Sequence, residues 1–246
     1  MVRSLYLLFA VTAYVIFFAT FLYLIGFVAD VALLPHTVDR PAIPGPLGVA
    51  LLIDAALIAL FGLQHSVMAR AGFKAAWTRI IPPPIERSTY VLFASCALIL
   101  LFALWRPISG TLWDLRGTAW QWPLWAVFAC GWLIVLLSTF LISHFELFGL
   151  KQVWHHIRAI PAVQPILRQP FFYRLVRHPL YSGFFLAFWA TPHMSYGHLL
   201  LATGMSLYML IAIEFEERDL LRLFGDDYAL YRQNVGKLTP RLRKTR

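Results

Sequence analysis

The chain has 246 residues, 60% of them hydrophobic and only 13% charged, with a mean hydropathy of +0.68. A soluble domain carries about a quarter charged residues, so this composition indicates a single membrane domain over residues 1–246, with no length left for a second globular one. The net charge of +9 lies in loops and at the C-terminal end without a reading helix or basic motif, which argues against a nucleic-acid partner.

The first apolar run, Leu5–Ala29, follows Arg3. It is too long for a signal-peptide core and has no convincing cleavage site, so it reads as a retained helix. Leu47–Val67, Ser88–Trp105 and Trp122–Ser143 also reach the roughly 17 to 25 residues that span a bilayer. Cys96 and Cys130 fall inside apolar runs and read as small buried hydrophobes. A fifth apolar region, Leu180–Ile213, is broken at Thr191–Gly197 by proline, glycine and polar residues. That pattern predicts a hairpin of two helices, its first arm short for a full crossing. The expected fold is an all-α integral membrane protein. Helices one to four fill residues 1–150, and a C-terminal membrane hairpin and tail fill 151–246, giving five to six membrane segments.

Lys and Arg number one in Pro35–Gly45, four in Ala69–Arg87, two in Arg106–Gln121 and five in Lys151–Arg177. The alternation places the second and fourth loops, and both termini, in the cytoplasm. Arg241, Arg243, Lys244 and Arg246 fit that side as a solvated anchor for anionic headgroups. Gln64–Arg70, Glu86–Tyr90, His144–Trp154, Tyr173–Gly183 and Glu214–Asp219 all fall at this boundary, while the opposite loops carry little beyond interfacial tryptophans. Ionisable groups are costly to place beside lipid, so their concentration marks a site.

Single residues have plainer readings too. His65 is either an interfacial residue satisfied by a backbone carbonyl or part of the site, and Arg87 is either a membrane-edge anchor or a functional cation. His155 and His156 are adjacent and point apart on a helix, and with His144 they lack zinc-ligand spacing, so no metal is expected. His36, His193 and His198 fall on the opposite side and read as structural. Asp54 lies inside the second span, where a carboxylate needs a partner.

The C-terminal third carries Tyr173, then Arg177-His178-Pro179-Leu180-Tyr181-Ser182-Gly183, the pair Glu216-Glu217, and Phe224-Gly225-Asp226-Asp227-Tyr228-Ala229-Leu230-Tyr231. In this combination it resembles the isoprenylcysteine carboxyl methyltransferase superfamily, integral membrane enzymes that use S-adenosylmethionine without a Rossmann domain. The motifs around His65, Arg87 and His144 look like the bacterial methanethiol S-methyltransferase branch. Prenylcysteine enzymes carry an arginine four residues before the first paired glutamate, where this chain has Ala212.

The resemblance implies S-adenosylmethionine as methyl donor, no metal, and a small thiol substrate, with methanethiol converted to dimethyl sulfide in a bacterial cytoplasmic membrane. It implies Gln152, Tyr173, Arg177, His178, Pro179, Leu180, Tyr181, Ser182 and Glu217 around the cofactor, in a cytoplasmic region ending in a C-terminal helix. His65, His144 and Glu146 are then candidates for thiol deprotonation, Arg87 for steadying the thiolate or pairing with Glu146, and Glu216 for the reacting centre. Two alternatives are a superfamily enzyme for a larger lipid, prenyl or xenobiotic thiol, and a membrane transporter or sensor. The latter usually has inverted repeats, which this sequence lacks.

Overall fold

In lipid only a helix or a closed barrel satisfies every backbone N–H and C=O, and apolar runs of this length become helices. The computed structural model describes residues 2–161 and 166–241; the basic residues Arg243, Lys244 and Arg246 lie outside them. In chain order come α1 (Val2–Val28), α2 (Leu47–Ala69), α3 (Ala71–Trp77), α4 (Glu86–Leu104), β1 (Thr111–Asp114), α5 (Gln121–Ile142) and α6 (His144–Leu147). There follow α7 (Leu150–Arg158), α8 (Pro179–Trp189), β2 (His193–Ser195), α9 (Tyr196–Phe224) and α10 (Asp226–Asn234).

Among the described residues five helices, α1, α2, α4, α5 and α9, are long and apolar enough to cross a membrane. The hairpin is present with unequal arms, an 11-residue α8 and a 29-residue α9. At 1.5 Å per residue the first arm is too short to span alone. Leu5, Leu8, Val15 and Leu22 leave α1 with an exposed apolar surface that suits lipid. One expectation is corrected here. Cys96 and Cys130 are exposed, not buried. Each sits on a spanning helix, and a thiol is apolar enough for a lipid-facing surface as well as for a core.

Contacts gather into two units. The first holds the chain through Asp114, then Phe145 through α7, and His193–Met205. Phe27 of α1 packs on Phe102 and edge-on to Trp105, whose indole N–H donates to Val38 O at 3.0 Å. Asp54 is fully buried, and its partner is a backbone group: Arg106 N–H donates to Oδ1 at 2.9 Å, just past the end of α4. The loops at this end carry more than the expected tryptophans. Asp30 takes Arg40 at 2.9 Å and the Thr37 hydroxyl, while Asp39 takes the Ser195 hydroxyl and faces His193 Nδ1 at 3.1 Å. The antiparallel pair β1–β2 carries His193 and Thr111 into this network, 3.2 Å apart.

The second unit holds α5, α8, the part of α9 from Ser206, and α10. Here α5 and α8 touch backbone to backbone. A Cβ on Gly131 would lie 2.7 Å from Gly183 O, and one on Gly183 2.6 Å from Gly131 O. Close approach through small residues is a usual way to join helices in lipid, where burial of apolar surface gives no drive. Trp132 then meets Phe184 and Phe188 edge-on.

Candidate active site

In the first unit the chemistry starts at the entry to α4. The 3-10 turn Pro83–Ile85 opens this helix, and Arg87 lies in its first turn. Arg87 Nε donates to Leu147 O at 2.7 Å, fastening the α6–α7 connection onto α4. Gly149 makes the fastening possible. It sits at φ +90°, and a Cβ there would lie 2.6 Å from Ser88 N. Lys151 Nζ pairs with Glu146 Oε2 at 2.6 Å, and Gln152 Nε2 donates to Glu146 O at 2.9 Å. Gln152 Oε1 is buried without a hydrogen-bond partner among the described residues.

His65, near the end of α2, lies 2.7 Å through Nε2 from the Tyr90 hydroxyl. Its ring stacks on Phe61 with centroids 5.3 Å apart. The Arg87 guanidinium stands over the Tyr90 ring, 4.7 Å from its centroid. Tyr90, Met68 and Val91 form a buried apolar cluster packed by Phe17, Phe73, Trp77 and Phe148. Burial lowers the Lys74 pKa, and nearby Arg87 adds to the effect. Sequence reasoning passed over Tyr90 as a site residue. The available signal was its place three residues after Arg87, on the same helix face.

His144 belongs to the second unit, buried at the end of α5 and stacked on Phe140 at 4.2 Å. Its Nδ1 lies 2.8 Å from Thr139 Oγ1, and that hydroxyl already donates to Leu136 O at 2.7 Å. Thr139 has one proton to give, so toward the ring it accepts. His144 therefore carries its proton on Nδ1, and Nε2 holds the lone pair. Burial lowers the imidazole pKa, which keeps the ring neutral at neutral pH.

The arginine-histidine motif stands at the start of α8, with Pro179 in the first helical position and no side chain capping the helix. Glu217 gathers the motif. Its Oε1 accepts from Arg177 Nε at 2.8 Å and lies 3.1 Å from His178 Nε2, with Arg232 Nε 3.7 Å from Oε2. The Arg177 and Glu217 side chains are 8% and 4% exposed, so this is a buried ion pair that either partner's loss would leave uncompensated. The tail closes over it. Arg177 N–H donates to Gly236 O, His178 N–H to Lys237 O, and Ser182 Oγ to Leu238 O. Tyr231 donates to Tyr173 O at 2.5 Å, and burial pushes its phenol up to about 12. Burial also raises Tyr173 and Tyr228.

Arg177 and Glu217, expected at the cofactor, thus bind each other, while Glu216 stays 44% exposed with Oε2 4.0 Å from His178 Nδ1. Tyr181 lies half-buried beside His178, ring centroids 5.8 Å apart. An apolar crevice of 340 Å³ lined by Ala19, Thr20, Tyr23 and Phe102, among others, includes none of the motif residues.

No family model matches the chain, and no solved structure matches it. Whole-chain relatives decide the matter. Methanethiol S-methyltransferase of Mycobacterium tuberculosis is 50% identical over 240 residues, 98% of each chain. The protein of that name from Crocosphaera subtropica is 47% identical over 238 residues, 97% of this chain and 92% of that one. This chain belongs to the methanethiol S-methyltransferase family. Nurim of Homo sapiens is similar over less of the chain, 33% identical over 179 residues, 68% of this chain and 66% of nurim.

A methyl donor of the kind implied for a methanethiol S-methyltransferase brings a cation, a carboxylate and hydroxyls. The second unit has matching groups. Glu216 offers a half-exposed carboxylate, and no side chain caps the start of α8. Tyr228 Oη is buried without a hydrogen-bond partner among the described residues. The donor set fits the group.

Proposed function

We propose that this protein is a membrane-embedded, S-adenosylmethionine-dependent thiol S-methyltransferase that converts methanethiol to dimethyl sulfide. The observation that carries the reading is the match along 98% of the chain to a protein of that name. Ala212 supports it, since a small buried residue stands where a substrate carboxylate would need a cation. When bound, the donor supplies an activated sulfonium methyl group, so the protein has to position the reactants, favour the thiolate and exclude water.

Glu216, Tyr173, Tyr181, Tyr228 and the backbone of Pro179–Ser182 are the residues that would hold the donor. Arg177, His178 and Glu217 keep that wall in shape from behind, and Ser182 ties it to the tail. His144 presents a neutral imidazole with its lone pair on Nε2, the form that orients a thiol by accepting its hydrogen bond. His65, Arg87 and Glu146 supply the polar end of the first unit, with Gln152 holding the Glu146 turn. In this reading the motif-bearing ends of the helices and both termini face the cytoplasm, from which the charged donor comes, and the apolar thiol and sulfide move through lipid.

Calorimetric titration of the detergent-purified protein with S-adenosylmethionine, beside headspace chromatography for dimethyl sulfide, tests the proposal. We expect saturable donor binding and sulfide formed only when both reactants are present. Absence of donor binding would leave a transporter or sensor as the better reading. Activity confined to a carboxylate-bearing prenylcysteine would overturn the choice of thiol.

A further inference from the structure

We infer that Tyr90 is the residue that receives the thiol proton, passing its own phenolic proton to His65, an inference that rests on the thiol methyltransferase reading. Three observations meet at this side chain. Its hydroxyl lies 2.7 Å from His65 Nε2, a distance at which a proton can pass between them. Arg87 stands over the face of its ring, 4.7 Å from the centroid, where a cation stabilises negative charge gathering on the phenol. The ring is buried with Met68 and Val91 and packed by Phe73, Trp77 and Phe148, surroundings that suit a small uncharged thiol.

A thiol is a weak acid and reacts as the thiolate. In the proposed step its S–H bond breaks and the electron pair stays on sulfur. The proton forms a new O–H bond on Tyr90 as the old phenolic proton forms an N–H bond on His65 Nε2. The products are a thiolate, an intact tyrosine and an imidazolium, with net charge unchanged. The other charged groups of this region are Lys74 of α3, on which Arg87, Glu86 and Arg70 all act electrostatically, and the Glu146–Lys151 pair on the turn that Arg87 fastens.

Tyr90→Phe removes the hydroxyl and keeps the ring, its packing and its face toward Arg87. In the full-length protein we expect methylation of methanethiol at neutral pH to fall about 100-fold, the scale of lost general-base help. The defect should shrink as pH rises toward the thiol's own ionisation. It should nearly vanish with trifluoroethanethiol, which ionises more readily and needs less assistance. His65→Ala on top of Tyr90→Phe should cost little more than either change alone, because the two act as a unit. Calorimetric binding of S-adenosylmethionine should match the parent's, which reports an intact fold. Full activity of Tyr90→Phe on methanethiol overturns the assignment. So does an equal fractional loss on both thiols at every pH, the mark of a structural role. A parent protein that methylates neither thiol overturns the thiol reading and this inference with it.

Discussion

Thr139 fixes which nitrogen of His144 carries the proton, and burial of the same ring makes that histidine a reporter of pH. Burial holds its pKa below the usual value, so the native ring resists a proton that the unfolded chain accepts below about pH 6.5. Under that condition the unfolded state binds more protons, and stability falls as pH falls. Its contribution is complete above the unfolded value and drains away as pH drops toward the depressed native one. Melting of the parent and of His144→Gln in detergent, followed from about pH 8 to about pH 5, should show the parent's advantage narrowing with acid. A difference that stays constant across the range would count against a neutral, buried His144. At this scale the sequence was legible for identity and opaque for state. His144 stood out in its motif, yet its tautomer depends on where a threonine hydroxyl five residues earlier sends its proton. Asp54 likewise announced a need for a partner. That partner is a main-chain N–H 52 positions away, and a backbone donor leaves no mark in side-chain chemistry.

Helices were the most readable elements, because hydropathy accumulates over some twenty residues and a bilayer imposes a length. Four of the expected spans match helices to within three residues at either end. The strands were invisible for the opposite reason. Thr111–Asp114 and His193–Ser195 are too short for alternation to register, and Thr111 pairs with Ser195 far along the chain. What sequence also hides is how near two helices come. Gly131 looked like any glycine of an apolar run, but its Cα faces the Gly183 carbonyl so closely that no side chain fits. Gly131→Val should therefore force α5 and α8 apart and destabilise the protein by about 1–3 kcal/mol, the usual range for overpacking, or more if the helices cannot adjust. Thermal unfolding in detergent measures this. A melting temperature equal to the parent's would mean that the close crossing is dispensable.

For the molecule as a whole, the bilayer replaces a large share of what a soluble protein would bury. That is why Cys96 and Cys130 were misread. Apolar runs do not distinguish a thiol that faces lipid from one that faces a core, since both surroundings exclude water. In vesicles both thiols should resist a charged, water-soluble maleimide and react with it once the protein is unfolded in denaturing detergent, because the attacking thiolate forms only in water. Ready labelling of the folded protein by the charged reagent would place them in water and undo the membrane assignment of α4 and α5.

The arginine-histidine wall also has an order of assembly written into it. Arg177, His178 and Ser182 donate hydrogen bonds to the carbonyls of Gly236, Lys237 and Leu238, more than fifty residues further along the chain. The earlier helices can enter the bilayer one after another as the ribosome makes them. This wall cannot close until translation has passed Leu238, so a nascent chain whose earlier helices are already threaded through the membrane still lacks the three bonds that hold the arginine-histidine motif against the tail.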